Sequence, residues 1–290
     1  MKVLVTGGAG LAGTAIADDL VSHGYEVVRA DRSAPPDAPD TRGKAGESAF
    51  KFVDTTDIGQ VTSAMRGCDA VIHMAAITNP NIASEFEVFR VNMLSNWAVL
   101  ESAEIHGVRK IVMASSVNAI GAVYSMDITS RPYFPIDEEQ STLAEDAYSQ
   151  SKWLGEEMAE AFVRRRPGGV QIASMRFHAL LTRERQAEMR SRVGEGMIDE
   201  KAPKHFWGWT DLEEAATACR LAIEKDWDGH EAFFINAPDT SANVPTIDLV
   251  REAYPDAEIR GDLEGYNSAL SIEKARRVLG WNPRVAWREA

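Results

Sequence analysis

The chain has 290 residues, 44% of them hydrophobic, which is enough to bury the core of one large domain. It contains 31 Lys and Arg against 44 Asp and Glu, and this balance argues against non-specific binding to nucleic acid or anionic membranes, because both depend on cationic contacts. No apolar run approaches the roughly 20 residues of a membrane helix, and we recognise no signal peptide, so we expect a cytoplasmic protein.

Strand-like apolar runs alternate with helix-like periodic segments up to residue 176. The predicted strands are Lys2–Thr6, Glu26–Ala30, Phe50–Val53, Ala70–Met74, Lys110–Ala114 and Val170–Met175. The predicted helices are about Thr14–Ser22, Ile58–Met65, Ser84–His106 and Ala144–Arg166. This alternation is typical of βαβ units, and continuously apolar strands are expected when helices cover both faces of a sheet. The sequence therefore predicts an α/β fold with a Rossmann-type, doubly wound parallel sheet.

The alternation of strand-like and helix-like segments becomes less regular after residue 176. The pattern there indicates a polar helix or loop, a helix, a strand and two further helices, at Thr182–Lys201, Leu212–Glu224, Ala232–Asn236, Thr246–Tyr254 and Ile272–Leu279. We interpret residues 177–290 as a small C-terminal α/β substrate lobe, interleaved with a first domain of residues 1–176. The stretches Asp31–Gly46 and Ala122–Glu145 are predicted loops, of a length that is often functional.

A glycine-rich segment, TGGAGLAG at Thr6–Gly13, follows the first predicted strand and opens the first predicted helix. Glycines here permit a tight turn, let backbone N–H groups approach a pyrophosphate, and let the helix pack close to the strand. The helix N-terminus adds unpaired N–H donors and a favourable dipole. This context favours a dinucleotide-binding turn over a purely structural one. Its candidate cofactor contacts are Gly7, Gly10, Leu11 and Gly13.

Acidic residues at two further strand ends bear on the choice of cofactor. Asp31 closes the second strand, where a carboxylate accepts hydrogen bonds from the adenosine ribose and repels a 2′-phosphate, which favours NAD over NADP. Arg32 follows it and is able to grip a phosphate, so NADP stays open. Asp54, with Thr55 beside it, is a candidate for contact with the adenine amine or for capping the helix near Asp57.

A tyrosine and a lysine four residues apart form the candidate catalytic pair. Tyr148 and Lys152 share one face if their segment is helical. An ammonium near a phenol lowers a pKa that is otherwise about 10, and such a phenol can serve as a general base. An amphipathic helix whose lysine extends past a ring shows the same spacing. Three other features support catalysis: Ser116 ends a strand, Asn92 interrupts a predicted helix, and small residues follow His73.

Together these segments resemble the extended short-chain dehydrogenase/reductase superfamily, the group of NAD-dependent nucleotide-sugar epimerases, dehydratases and sugar dehydrogenases. The resemblance covers nearly the whole chain. The matching segments are Thr6–Gly13, Asp31, Asp54, His73–Ala76, Asn92, Ser115–Ser116, Pro135–Glu138, Tyr148 with Lys152, Trp207–Ala216 and Ser271–Pro283.

The resemblance implies a role for each matching residue. Tyr148 would be the acid/base on the substrate hydroxyl, and Lys152 would bind the nicotinamide ribose and tune Tyr148. Ser116 would hydrogen-bond the substrate oxygen, with Ser115 the less favoured choice, and Asn92 would order its helix at the active site. Hydride would pass to NAD. The remaining implied cofactor contacts are Met74, Ala75 and Ala76. The resemblance also implies a homodimer built on the helices Ser84–His106 and Ala144–Arg166.

The match departs from the nucleotide-sugar enzymes after the sixth predicted strand. Many of those enzymes carry Arg-x-x-Asn followed by Gly-Pro, and the Asn contacts the substrate diphosphate. Here the run after Arg176 places Ala179 at the Asn position, with no Gly-Pro behind it. The chain therefore resembles more closely the compact sugar or uronate dehydrogenases, which oxidise a free sugar and release NADH. Thr78, Asn118 and His178 are further substrate-side candidates, although each also has an ordinary turn, capping or buried role.

Two other functions stay open at this stage. An NAD-retaining epimerase, similar to UDP-glucose 4-epimerase, or a dehydratase would return the hydride to the same molecule. A non-catalytic NAD sensor would have no need of the Ser, Tyr and Lys set. We identify no metal site, because the six histidines show no paired spacing with carboxylates. Cys68 and Cys219 are expected to be buried thiols in a reducing compartment.

Overall fold

The computed structural model describes residues 1–34, 49–127, 130–194 and 202–288. The predicted loop 31–46 lies outside the described residues from position 35 onward. The same holds for residues 128–129 of the loop 122–145 and for residues 195–201 of the segment 182–201.

A seven-stranded parallel sheet forms the centre of the fold, with strand order β10-β7-β5-β4-β1-β2-β3. Its strands are β1 Lys2–Thr6, β2 Glu26–Asp31, β3 Ala49–Phe52, β4 Ala70–His73, β5 Lys110–Ser116, β7 Gln171–Phe177 and β10 Gly229–Ile235. Four short strands lie outside this sheet: β6 Tyr133–Phe134, β8 Leu180–Leu181, β9 Thr210–Asp211 and β11 Glu258–Ile259. The Rossmann-type doubly wound prediction is confirmed.

Helices cover both faces of the sheet. The eight α-helices of the described residues are α1 Leu11–Ser22, α2 Ile58–Met65, α3 Glu85–His106, α4 Ala147–Arg165, α5 Arg183–Gly194, α6 Leu212–Glu224, α7 Thr246–Ala253 and α8 Glu273–Leu279. One core cluster joins α1, α6 and α8 to the sheet, and a second joins α2, α3 and α4 to its opposite face. The central strands β1 and β4 are buried between them, which explains their mostly apolar sequences, KVLVT and AVIH.

Capping residues set the ends of the helices that carry the predicted site. The Ser84 hydroxyl accepts from the Glu87 N–H and starts α3, while Gly107, with φ of 70°, ends it. Asp146 accepts from the Ser149 N–H and starts α4 at Ala147, three residues later than the sequence prediction. The apolar periodicity thus located the helix, and the side-chain cap fixes its first turn.

The residues after 176 contribute both to the central sheet and to short strands outside it. The strand β10 pairs with β7, and α6 packs against α1. The parallel pairs β6–β11 and β8–β9 lie apart from the sheet. Phe134 of β6 belongs to a third core cluster with Phe206 and Tyr254, and Leu181 of β8 belongs to a fourth with Trp209 and Trp287. The described helices include none with the length and apolar character to cross a membrane.

A chain of buried polar side chains joins three elements at the end of β4. The His73 ring contacts the Thr6 hydroxyl through Nδ1, at 2.6 Å, and the Ser95 hydroxyl through Nε2, at 3.3 Å. The Ser95 hydroxyl in turn donates to Thr55, at 2.6 Å. Burial, with the nearby charge of Lys152, lowers the pKa of His73 to about 3. A neutral His73 therefore links β1, β4 and α3 beneath the strand ends.

This neutral histidine should make the fold acid-sensitive. Between about pH 6.5 and pH 3 the unfolded chain binds a proton that folded His73 does not. The free energy of unfolding should therefore decrease as the pH falls, by up to about 1.4 kcal/mol per pH unit from this residue. Urea titrations at pH 6 and pH 5 should show a shallower loss in His73→Gln than in the wild type. Equal losses would show that His73 contributes nothing to the acid sensitivity.

Candidate active site

A cavity of about 560 Å³ opens at the carboxyl ends of the central strands, where β4 and β1 meet and the strand order reverses. It brings together most of the residues predicted from sequence. The predicted residues that line it are Gly7, Gly10, Leu11, Gly13, Asp31, Arg32, Asp54, Thr55, Met74, Ala75, Ala76, Thr78, Ser116, Tyr148, Lys152 and His178. Asn92 and Asn118 are not among its lining residues.

The glycine turn has no room for side chains. A Cβ atom on Gly7, which has φ of 65°, would lie 2.8 Å from the backbone N of Ala75, and one on Gly13 would lie 2.1 Å from the Gly7 carbonyl oxygen. Gly10 is the N-cap of α1 and makes no side-chain capping bond. The first N–H groups of α1 are therefore available at the cavity wall, and this cradle fits a pyrophosphate.

The adenosine end of the cavity carries Asp31, Arg32 and Asp54. The Asp31 carboxylate accepts from the N–H groups of Ala9 (3.0 Å) and Arg32 (2.7 Å), which hold it at the cavity rim. Asp54 accepts from the N–H and hydroxyl of Thr56, and these bonds lower its pKa. The cap of α2 is Asp57, so helix capping is not the role of Asp54.

The predicted catalytic residues lie at the opposite end of the cavity. Tyr148 and Lys152 face it from the first turns of α4, and Ser116 faces it from the end of β5. The Lys152 Nζ lies 5.7 Å from the centroid of the Tyr148 ring and donates to the Ala114 carbonyl oxygen at 2.6 Å. The Tyr148 ring also packs edge-on against Tyr124, with a centroid distance of 5.8 Å.

Burial governs the proton affinities of this pair. It raises the pKa of Tyr148 to about 12, although a hydrogen bond with Ser116 acts in the opposite direction. It lowers the pKa of Lys152 to about 8, against the attraction of Glu156. The pKa of Tyr148 is therefore raised, and not lowered as the sequence predicted. Desolvation of the phenolate outweighs the neighbouring ammonium, which is turned to the Ala114 carbonyl.

Both candidate asparagines lie behind the cavity wall. Asn92 bonds both backbone groups of Ile77, at 2.8 and 3.1 Å, and donates to the Ser151 hydroxyl at 3.0 Å. It thus ties the segment after β4 to α3 and α4. Asn118 donates to the Ser116 hydroxyl, at 3.2 Å, and accepts from the Val123 N–H. In this arrangement the two side chains position their neighbours and do not face the cavity.

The segment after β7 closes the end of the cavity that was predicted to hold substrate, and its hydrogen-bonding groups are already paired. The His178 Nδ1 accepts from the Ala179 N–H at 2.7 Å, so its Nε2 carries the proton and donates to the His205 carbonyl oxygen at 2.8 Å. Burial lowers the pKa of His178 to about 3, which keeps the ring neutral. His178 therefore presents a ring edge to the cavity, and Ala179 presents a methyl group.

Sequence reasoning missed a buried carboxylate next to this site. Glu156 lies one helical turn after Lys152 and pairs with Arg176, with an Nη2–Oε2 distance of 2.7 Å. Its spacing of four residues from Lys152 was the available signal. Lining residues that were not predicted as site residues include the apolar side chains of Val53, Ile77, Val91, Phe177 and Leu180.

Comparison with known proteins agrees with this geometry. The chain is 27% identical over 99% of its length to a putative UDP-glucose 4-epimerase of Methanocaldococcus jannaschii, and covers 95% of that protein. It is 24% identical over 98% of its length to the L-arabinose 1-dehydrogenase (NAD(P)(+)) of Haloferax volcanii, and covers 96% of it. A mutated uronate dehydrogenase of known structure superposes with a TM-score of 0.67, at 20% identity, covering 99% of this chain and 84% of that one.

The sequence profile of the NAD dependent epimerase/dehydratase family matches residues 3–235. This span contains the glycine turn, the strand ends that form the cavity, and the helix that carries Tyr148 and Lys152. The chain belongs to the NAD-dependent epimerase/dehydratase family.

Proposed function

We propose that the protein is a dehydrogenase that oxidises a hydroxyl of a free sugar or sugar acid and releases NADH. One observation carries this proposal: Ser116, Tyr148 and Lys152 line the same cavity as the glycine turn, and its substrate end presents Ala179. A methyl group offers no hydrogen bond to a diphosphate, and the Ala179 N–H is bonded to His178. Two of the similar proteins are named L-arabinose 1-dehydrogenase and uronate dehydrogenase, enzymes of a sugar and of a sugar acid.

The proposed division of labour follows the two parts of the chain. Residues 1–176 hold NAD and supply the catalytic side chains, and residues 177–290 close the substrate end. The proposed NAD contacts are Gly7, Gly10, Leu11, Gly13, Asp31, Arg32, Asp54, Thr55, Met74, Ala75, Ala76, Tyr148 and Lys152, with Asn92 acting through Ile77. The proposed substrate contacts are Thr78, Ser116 and Tyr148, with Asn118 acting through Ser116 and His178 as a wall.

The residues divide the chemistry as follows. NAD, when bound, accepts the hydride from the alcohol carbon. The Ser116 hydroxyl orients the substrate oxygen, and the Tyr148 phenolate takes the hydroxyl proton as the carbonyl forms. The Lys152 ammonium stabilises the phenolate and offers N–H donors to a ribose. Burial raises the pKa of Tyr148 to about 12, so the phenolate needs nearby positive charge, which Lys152 supplies and which bound NAD would increase.

A substrate panel tests the reaction. Purified protein with NAD and a set of aldoses and uronates should generate the absorbance of reduced nicotinamide with at least one of them. Absence of reduction across a broad panel, in protein that binds NAD, would count against a dehydrogenase.

The relative named UDP-glucose 4-epimerase favours a second candidate, an epimerase that retains NAD. Such an enzyme interconverts nucleotide sugars without net NADH formation and keeps its cofactor through purification. Product analysis with UDP-sugars decides between the two, and calorimetry that finds no binding of UDP would remove the epimerase.

We expect Tyr148→Phe to lower kcat by about 10²-fold or more, because the substrate proton loses its acceptor. Binding of NAD, measured by fluorescence or calorimetry, should change little. The matched control is Tyr124→Phe, whose ring packs on Tyr148 at 5.8 Å without lining the cavity, and its kcat should stay near that of the wild type. Full activity in Tyr148→Phe would remove the phenol from the mechanism and contradict its role as the base.

Gly13→Ala should abolish NAD binding, because its Cβ would lie 2.1 Å from the Gly7 carbonyl oxygen and would displace the turn. The control is Gly24→Ala, at a position with φ of 82° and open space around it. That variant should bind NAD normally and lose only about 1 kcal/mol of stability. Titration with NAD, followed by calorimetry, measures the affinity of both variants for NAD. Normal NAD binding in Gly13→Ala would contradict the proposed role of the turn.

We also propose a cytoplasmic homodimer. The free, buried thiols of Cys68 and Cys219 support a reducing compartment. The dimer is supported by an apolar stripe along α3 that a partner would cover. The stripe consists of Phe86 at 75% exposure, Leu94 at 44%, Trp97 at 43% and Ile105 at 58%.

Leu94→Glu should convert the dimer into a monomer, because a charge would be buried in the interface. Light scattering after size-exclusion chromatography measures the mass. Met126→Glu, at an exposed residue outside the stripe, should leave the dimer intact. A wild-type mass of one chain at all concentrations would reject the proposal.

A further inference from the structure

The carboxylate of Glu156 continues the row of catalytic side chains into the protein interior. Tyr148, Lys152 and Glu156 are spaced four residues apart on α4, so they share one helix face. Glu156 is 6% exposed and, unlike the other two, does not line the cavity. It lies behind the site that the family and the proposed function account for.

Three charge-assisted hydrogen bonds fix this carboxylate. Its Oε1 accepts from the Ser115 hydroxyl at 2.5 Å and from the Arg176 Nε at 3.0 Å, and its Oε2 accepts from the Arg176 Nη2 at 2.7 Å. All three partners are donors, as an ionised carboxylate requires. Glu156 thereby joins α4 to the carboxyl ends of β5 and β7.

The bond to Ser115 acts on its neighbour Ser116. Both serines line the cavity at the end of β5, so holding the Ser115 side chain against Glu156 restrains the backbone from which Ser116 projects. Ser116 ends β5, and beyond it the chain enters a short 3₁₀-helix, Val117–Ile120. The Glu156 bond is thus an anchor at the last point where β5 is held by the sheet.

The charge of Glu156 also acts on Lys152. The titratable and charged groups around Lys152 are Tyr148 and Glu156 on α4 and His73 on β4, with Arg176 of β7 behind Glu156. His73 is neutral, and Tyr148 is protonated in the free protein. Among the described residues, Glu156 is therefore the negative charge that opposes the desolvation of this buried ammonium.

We propose that Glu156 is a positioning residue that maintains the ammonium form of Lys152 and, through Ser115, directs Ser116 towards Tyr148. The roles of Lys152 and Ser116 rest on the proposed function. A pair that served packing alone would gain little from being ionic, because a buried ion pair pays a desolvation cost that apolar residues of similar volume avoid. Here the negative member lies one turn from a buried cation that faces the cavity.

The first test measures Lys152 directly in the cofactor-free protein. NMR titration of ¹³C-labelled lysine side chains, with the Lys152 signal assigned by Lys152→Arg, reports its pKa, about 8 in the wild type. Glu156→Gln removes a negative charge that favours the protonated form, so this pKa should fall by about one unit. Glu157→Gln, at the next and exposed residue of α4, should leave it unchanged. An unchanged pKa in Glu156→Gln would overturn the proposal.

Further variants keep the test informative if Glu156→Gln does not fold. That change leaves Arg176 buried without a counter-ion, so a double variant, Glu156→Gln/Arg176→Met, removes both charges. Its Lys152 pKa should fall by less than in Glu156→Gln, because loss of the more distant Arg176 cation acts in the opposite direction. Glu156→Asp retains the carboxylate and should stay near the wild-type value. A double variant with the wild-type pKa would likewise overturn the proposal.

A second readout follows the reaction. If Lys152 must be protonated, the decline of kcat at alkaline pH should begin about one unit lower in Glu156→Gln, and Glu157→Gln should keep the wild-type profile. Failure of the substrate panel would remove the proposed function and leave the NMR result standing. A changed Lys152 pKa with an unchanged pH profile would show that Glu156 acts on the charge of Lys152 without affecting catalysis, and would overturn its role in the reaction.

Discussion

The reversal of strand order between β1 and β4 is the constraint on which the site depends. Crossovers on the two sides of this point leave in opposite directions, so a crevice opens above the two strands. The crevice stays open only because backbone lies directly against backbone below it, where Gly7 faces Ala75 and Gly13 faces the Gly7 carbonyl. Every other functional group reaches the crevice from a strand end or a first helical turn.

The electrostatics of this crevice differ from those of the surface around it. The chain carries a net charge of −13, yet two cations, Lys152 and Arg176, are buried beside the cavity. Each is balanced by a short, local contact: the Ala114 carbonyl for Lys152, and Glu156 for Arg176. Removal from water lowers the pKa of Lys152 and raises that of Tyr148, so it favours the neutral form of each side chain. Tyr148 beside Lys152 therefore stays protonated unless a further positive charge is bound next to it.

The sequence predicted the features that depend on local pattern. The glycine turn was recognisable because three glycines between a strand and a helix allow a close approach of backbone that side chains would prevent. Tyr148 and Lys152 were recognisable because their spacing of four residues is about one helical turn. Features set by distant partners escaped. Glu156 meets Ser115 and Arg176 at separations of 41 and 20 residues, and no local pattern reports such contacts. The short strands β6, β8, β9 and β11 have two residues each, too few for any periodicity.

Asn92 shows that a sequence pattern can mark a residue without indicating which way its side chain faces. Its sequence context marked it as functional, and its conformation is indeed determined by polar contacts to Ile77 and Ser151. The pattern could not indicate whether the amide faces the cavity or the chain behind it, because that depends on how α3 and α4 pack. The capping of α2 by Asp57, which leaves Asp54 free of that role, was undecided for the same reason.

The pairing of His178 with its own backbone has a consequence for altering the chemistry of this enzyme. The His178 ring accepts from the Ala179 N–H and donates to the His205 carbonyl. An asparagine side chain at position 179 would therefore add one polar group at that strand end, while the Ala179 N–H stayed bonded to His178. A change of substrate class would require the histidine and the loop behind it to change together. Under the proposed function, selectivity at this end of the crevice would depend on His178, Ala179 and the His205 carbonyl together.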